Sequence, residues 1–271
     1  RRGGYEMAQT MGTVDKALIL LEFFTVAEPE WGLSELAREA GHDKATTLRL
    51  LNSLIRGGFV EQHPITKKFR LGRQILKLAR VRETSFPIAS VVEPVIQSLT
   101  AETGETAHAA LGSGSGMITI GIAEPQRSTR VYVDPSQRLP FHATASGIAY
   151  LAFADASTIE DFLRANGFEK HTDQTVDRAD DLRKLLSDTR RRGFAVSART
   201  FENEVVGIAA PFFDATGQVY GTIAVASVAS RFASESERLI ASAVRKAANE
   251  VTMAIGGEVP DEIRVGKEAA E

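Results

Sequence analysis

An α+β fold in two unequal parts is predicted by three observations. Residues 13–72 run as helical patterns that close on a short strand-turn-strand segment. Residues 88–255 mix strand-like alternation with helical periodicity and end on a long amphipathic run. Positive charge is gathered in the first part and negative charge in the second. Strands mixed with helices and joined partly by hairpins indicate a sheet covered by helices, not a strictly alternating parallel fold.

From Thr13, the residues Val14, Ala17, Leu18, Leu21 and Phe24 recur at helical spacing as one apolar stripe, and Glu28-Pro29-Glu30 breaks it. Ser34 is the expected N-cap of a second helix, Leu36, Ala37 and Ala40 give its buried side, and Gly41 suits its C-terminal turn. Asp43 is the expected cap of a third helix. There Leu48, Leu51, Leu54 and Ile55 form the buried stripe, and Lys44, Ala45, Thr46, Arg49, Asn52, Ser53 and Arg56 lie opposite. Gly57-Gly58 ends that helix, and 59–63 and 68–71 alternate like strands around 64–67.

This order is a winged helix-turn-helix, which places one helix in a DNA major groove and a wing beside it. The expected DNA-binding residues are Lys44, Ala45, Thr46, Thr47, Arg49, Asn52 and Arg56 on the reading helix and Lys67 and Lys68 on the wing. An arginine such as Arg49 suits a bidentate contact to guanine, and Thr46 or Thr47 suits a thymine methyl or a phosphate. The wing lysines position the protein on phosphate without specifying sequence.

Residues 73–84 form a short amphipathic linker helix rich in positive charge, interrupted by Pro87. Ile88, Val92, Val95, Ile96 and Leu99 mark the next helix, stopped by Gly104. Strands are expected over 107–112, 117–123 and 130–133, and helices over 145–154, 159–165 and 180–192. Further strands are expected over 194–197, 205–213 and 218–227, the last two joined by a tight turn, with a closing helix over 234–255. The GSGSG at 112–116 lacks the Lys-Ser/Thr ending of a phosphate loop and reads as a flexible hairpin.

Net charge is −3 over 271 residues, but residues 13–84 carry 12 Lys/Arg against 9 Asp/Glu, and residues 85–271 carry 18 against 25. Within 43–73 the count is 7 basic to 2 acidic, which suits a phosphate-facing module joined to an acidic domain. No apolar run is long enough to span a membrane. The absence of cysteine removes disulfides, thiolate catalysis and Cys-ligated metal together. The histidines at 42, 63, 108, 142 and 171 have no metal-ligand spacing, and no G-x-S-x-G elbow occurs. No enzyme activity, metal or cofactor is expected, and the location expected is the cytoplasm.

TVDKALILLEFF, LSELAREAG and KATTLRLLNSLIRGGFVEQ, followed by FRLG at 69–72, resemble the helix-turn-helix of the IclR family of bacterial transcriptional regulators. LPFHATASGIAYLAF (139–153), RRRGFAVS (190–197) and VVGIAAPFFDATGQVYGTIAVAS (205–227) resemble that family's effector-domain blocks. The resemblance spans about residues 13–257. It implies a winged helix-turn-helix over 10–72, a linker helix over 73–85 and a GAF-like effector-binding domain over 86–257; the tail over 258–271 is polar and is expected to be disordered. It also implies a double-stranded operator and a small-molecule effector as partners, a homodimer or dimer of dimers, and a repressor of a catabolic operon. Three departures stand out. Asp43 and Ala45 replace the usual Pro and Ser at the start of the reading helix, Ile148 replaces a usual Lys, and Ser197 and Glu204 stand where acidic and Gly residues are common.

The turn at 139–147 leads directly into a helix, so the N–H groups near Ala145, Ser146 and Gly147 suit a carboxylate. By position in the family blocks, the effector-binding residues are Val131, Leu139, Phe141, His142, Ala145, Ser146, Gly147, Ser197, Val205, Gly207, Ala224 and Ala226. Ala224 and Ala226 stand where relatives can carry serine. A wall with few polar partners suits an organic acid with an aromatic or mostly apolar body better than a two- or three-carbon oxoacid. A second reading stays open on the residues alone: a metabolite-binding protein or enzyme whose winged helix is a protein-interaction module.

Overall fold

A computed structural model describes residues 12–25, 27–85, 88–165, 167–260 and 263. The chain divides into two compact units, Arg1–Pro87 and Ile88–Glu271. In the first unit, α1 (Thr13–Glu22), α2 (Leu33–Glu39) and α3 (Lys44–Arg56) precede a hairpin of β1 (Val60–Gln62) and β2 (Phe69–Leu71), and α4 (Arg73–Ser85) follows. The core of this unit is Leu20, Phe24, Trp31, Leu36, Leu50, Leu51, Leu54, Val60 and Phe69. Trp31 bridges Phe69 as an added rung beside the hairpin, and its indole N–H donates to the Phe23 carbonyl at 2.8 Å.

Three sequence expectations are corrected here. The cap of α2 is Gly32, whose N–H donates to Glu35 Oε2 at 3.2 Å; Ser34 lies inside the helix. In α1 the apolar stripe is only partly the core face, with Ala17 and Leu21 packed against the core. Val14 and Leu18 are exposed, and Leu20 with Phe24 fills the core. In α3 the buried face is Thr47, Leu50, Leu51 and Leu54, and Leu48 is exposed. Those four residues fall at i, i+3, i+4 and i+7, a cleaner helical stripe than one through Leu48 and Ile55.

In the second unit a six-stranded antiparallel sheet runs in the order β5-β4-β3-β8-β7-β6. Its strands are β3 (Thr106–Ser113), β4 (Gly116–Ala123), β5 (Leu139–Pro140), β6 (Ala195–Ala198), β7 (Val205–Phe213) and β8 (Val219–Val228). α5 (Ile88–Thr103) and α9 (Ser234–Ala254) cover one face, with Val92, Ile96, Val244 and Val251 packed on Ala107, Ile208, Phe212, Ile223 and Val225. α6 (Ala145–Phe153), α7 (Ala156–Arg164) and α8 (Ala179–Arg192) cover the other, around Phe141, Ile148, Leu151, Leu182 and Ala209. α8 ends at Gly193, whose φ of 73° is the left-handed conformation that favours glycine.

Because side chains alternate across a strand, odd and even positions separate cleanly. Ile223 and Val225 of β8 face α5 and α9, and Ala224 faces α6; on β3, Ala107 and Ala109 take the first face. The register sets His108 against Ala224 and Gly207 against Ala226. That face of three adjacent strands therefore carries small residues and one imidazole.

Residues 130–133, expected as a strand, pair with no ladder. The Val131 carbonyl is held instead by the Thr106 hydroxyl at 2.7 Å. The expected tail over 258–271 falls mostly outside the described residues. Of those described, Glu258 donates its N–H to the Asp214 carbonyl and Ile263 is buried.

Candidate functional site

The reading helix is started by Asp43. Its carboxylate accepts the Thr46 N–H at 2.8 Å and the Thr46 hydroxyl at 2.7 Å, and these bonds hold its pKa below the usual aspartate value. A carboxylate at a helix N-terminus also opposes the positive end of the helix dipole. Lys44, Ala45, Arg49, Asn52 and Arg56 are all exposed. Of these, Ala45, Arg49, Asn52 and Arg56 follow i, i+4, i+7 and i+11, one continuous outer stripe. Thr46 is half-buried beside its cap.

Thr47 departs from its expected role as a DNA contact. It is fully buried, with its hydroxyl donating to the Asp43 carbonyl at 3.0 Å. That bond satisfies the hydroxyl and lets a polar residue occupy the core face.

At the wing, Lys67 and Lys68 are exposed and Lys67 takes a positive φ of 59°. The turn is held in place: Gln62 Nε2 donates to the Lys67 carbonyl at 2.8 Å, and the N–H groups of Ile65 and Thr66 point at His63 Nδ1.

The second unit holds a cavity of about 70 Å³ at the N-terminus of α6. Nine expected residues line it: Val131, Leu139, Ala145, Ser146, Ser197, Val205, Gly207, Ala224 and Ala226. Thr144 caps α6, accepting the Gly147 N–H at 3.0 Å and donating to the Pro140 carbonyl at 2.9 Å. The N–H groups of Ala145 and Ser146, in the first turn, have no intrahelical acceptor. The crowding is close: a Cβ added at Gly207 would stand 2.9 Å from Ser197 Oγ and 3.2 Å from Ala145 Cβ.

Three expected pocket residues lie elsewhere. Gly147 has its N–H engaged by Thr144, and an added Cβ would meet the Pro140 carbonyl oxygen at 2.3 Å; it serves close packing of α6 on the preceding turn. Phe141 stacks on Tyr150, with ring centroids 5.5 Å apart, inside the core. His142 is 1% exposed among Phe162, Phe168 and His171, with Nε2 bonded to the Glu169 carbonyl at 2.9 Å. Burial, with His171 adding to it, pushes its pKa down. These residues share the turn with the pocket but point into the core beside it.

Seven lining residues were not foreseen: His108, Val133, Asp134, Gln137, Thr144, Phe201 and Glu202. Asp134 and Gln137 come from the irregular stretch before β5, and Phe201 and Glu202 from the loop before β7. That loop is tied down by the Thr200 hydroxyl on the Ala143 carbonyl at 2.6 Å and the Thr172 hydroxyl on the Arg199 carbonyl at 2.7 Å. Burial raises the Glu202 carboxyl pKa. His108 is buried, its Nε2 stands 3.2 Å from Ser146 Oγ, and burial pushes its pKa down to about 4. Its presence in a strand-like run is the sequence signal that could have placed a titratable side chain on that face of the sheet. Among the described residues no group of three or more His, Cys, Asp or Glu is placed to hold a metal. No described helix is long and apolar enough to cross a membrane.

A capped reading helix with a basic outer stripe, and a separate α+β unit with a cavity at the start of α6, define a DNA-binding transcriptional regulator with an effector-binding domain. The sequence pattern of the IclR helix-turn-helix domain matches residues 13–64, and that of the bacterial transcriptional regulator IclR C-terminal domain matches residues 83–253. The chain belongs to the IclR family. It is 28% identical over 247 residues to the transcriptional repressor IclR of Escherichia coli K12, covering 90% of each chain. A putative IclR regulator from Silicibacter sp. TM1040 has a crystal structure that superposes with a TM-score of 0.84 at 39% identity, covering 93% of this chain and 99% of that one. An IclR homologue from Microbacterium hydrocarbonoxydans, described as complexed with 4-hydroxybenzoate, shares the fold at a TM-score of 0.73 and 22% identity, covering 94% of this chain and all of that one. The named relatives are regulators and repressors, not enzymes.

Proposed function

We propose that this chain is a repressor of a catabolic operon, released from its operator when a small organic acid occupies the cavity at the N-terminus of α6. The observation that carries the reading is that cavity, lined by Ala145 and Ser146 of the first turn of α6 and by Val131, Val133, Leu139, Val205 and Ala226. A helix N-terminus favours an anion, and the walls favour an apolar body. The direction of the response rests on relatives that are named repressors.

On this proposal the acid is short and aliphatic. An aromatic body was inferred from a pocket with few polar partners, yet His108, Asp134, Gln137, Ser146, Ser197 and Glu202 all line it. A cavity of roughly 150 Å³ holds a benzene ring, about twice the 70 Å³ here. We infer a short aliphatic acid in preference to a benzoate.

DNA is read, on this proposal, by Arg49, Asn52 and Arg56 with Lys44, Ala45 and Thr46 at the helix start, and the wing lysines hold phosphate. Two copies are needed, because one winged helix makes too few contacts for operator-level affinity and a two-fold pair doubles them. Val14 and Leu18 on α1 and Leu76 and Val81 on α4 are more than half exposed. We propose that they are the pairing surfaces and that effector domains join the dimers again. A mobility-shift assay with the DNA upstream of the chain's own gene, with and without short-chain acids and benzoate, tests this reading. A specific shift weakened by a short acid is expected. No specific shift at low salt, or a stronger response to benzoate than to any short acid, overturns it.

A further inference from the structure

We propose that His108 is the residue that recognises the acid group of the effector, donating from Nδ1 to a carboxylate oxygen, and that the pocket is built for a monocarboxylate. This rests on the reading of the cavity as the effector site.

The argument begins from an unpaired atom. His108 is 7% exposed and lines the cavity; Nε2 is engaged by Ser146 Oγ at 3.2 Å, and Nδ1 is buried with no hydrogen-bond partner. Buried polar groups are rarely left unpaired, and one beside a cavity is explained most simply by a ligand that completes it. The residue opposite His108 on β8 is Ala224, also in the lining.

The tautomer follows from the partner. On this proposal the Ser146 hydroxyl donates to Nε2, and the ring proton sits on Nδ1. The free Nδ1–H and the Ala145 and Ser146 N–H groups then form a set of neutral donors, complementary to one carboxylate. The other ionisable groups of the lining are Asp134 and Glu202, and among the described residues no Lys or Arg lines the cavity. A second carboxylate on the ligand would meet carboxyl groups with no cation to offset it. A dicarboxylate is thereby disfavoured, and a neutral amide loses the charge-assisted part of the contact.

Calorimetric titration of the full chain tests this with acetate, glyoxylate, pyruvate and butyrate, their dicarboxylate counterparts oxalate, malonate and succinate, and propionamide. At least one monocarboxylate should bind about tenfold or more tightly than the dicarboxylates and the amide. Two polar substitutions separate recognition from packing. An asparagine amide stands where Nδ1 stood, and a glutamine amide reaches toward the Nε2 position. His108→Asn should keep affinity within a few-fold, and His108→Gln should lose about tenfold or more. Ring-nitrogen NMR of the wild-type complex should show the proton of His108 on Nδ1. If an acid binds but both variants bind alike, or the proton lies on Nε2, the assignment to His108 is overturned and the cavity reading stands. If a dicarboxylate binds as well as any monocarboxylate, the monocarboxylate preference is overturned. If no acid binds the wild-type chain, the cavity reading fails and takes the proposal with it.

Discussion

Thr47→Val and Arg49→Ala separate the core side of α3 from its outer side. The two residues lie half a turn apart, in the part of the helix expected to meet DNA, yet Thr47 is fully buried and Arg49 is exposed. Valine keeps the shape of threonine and removes one hydroxyl, whose bond runs to the Asp43 carbonyl. That carbonyl still receives the Thr47 N–H at 3.0 Å, so no acceptor is orphaned. The net loss is one neutral hydrogen bond, about 1 kcal/mol, partly offset by the added buried methyl. Urea denaturation should therefore show a loss of about 1 kcal/mol or less, with operator affinity unchanged. For Arg49→Ala the expectation reverses. No hydrogen bond or ion pair joins its guanidinium to another described residue, so stability should move by no more than about 0.5 kcal/mol. Losing a bidentate base contact should cost about 1–3 kcal/mol, roughly 5- to 150-fold in Kd, and relax preference at one base position. Fluorescence anisotropy on operator variants reads both effects. A Thr47→Val protein that is fully stable but binds DNA tenfold less tightly would refute the division of the helix, as would an Arg49→Ala protein with unchanged affinity.

Replacing Lys67 and Lys68 together with Ala should weaken binding to every sequence and lower the slope of log K against log salt by about 2; an unchanged slope removes the wing from the phosphate contacts. The acid stability of the chain should carry the signature of His108. Its folded pKa, about 4, lies below the unfolded imidazole value of about 6.5. The unfolded chain therefore takes up the proton first, and stability falls as pH drops from about 6.5 to about 4, by about 3 kcal/mol in all. His108→Asn should flatten that part of the stability profile relative to wild type, and identical profiles would show that the imidazole is not held neutral. Sedimentation at micromolar concentration should show a dimer or larger. A monomer would refute the pairing role of α1 and α4, and Leu76→Glu with Val81→Glu should shift the chain toward monomer.

The order of elements was legible in the sequence because its punctuation is chemical. Gly57-Gly58, Gly104 and Gly193 each stand where a helix stops, and Glu28-Pro29-Glu30 lies in the connection after α1. Faces were harder to read than elements. Four leucines at 48, 50, 51 and 54 permit two overlapping stripes, and only the partner surface decides that Leu50 is inside and Leu48 outside. Thr47 misled because a hydroxyl that bonds its own helix is indistinguishable, in a sequence, from one offered to DNA. The pocket divides in the same way. Ala145, Gly207, Ala224 and Ala226 were placed by their position in blocks shared with the IclR family and by strand alternation. Asp134, Gln137, Phe201 and Glu202 reach the cavity from irregular segments whose path is set by side-chain bonds such as Thr200 to Ala143. No periodicity encodes such a path. His108 meets Ser146 across 38 residues, a pairing that requires the sheet register.

The central claim is that occupation of the α6 cavity and operator binding are linked within one chain. The direct measurement is operator Kd with and without saturating acid, for wild type and for Ala226→Leu, which fills the cavity from β8 and leaves the first unit untouched. An acid shown by calorimetry to bind should weaken wild-type operator binding by about 5- to 150-fold, the range of coupling energies between linked sites. Ala226→Leu should bind the operator as wild type does and ignore the acid. An acid that fills the wild-type pocket without changing operator Kd, or an Ala226→Leu protein that responds as strongly as wild type, would contradict the account.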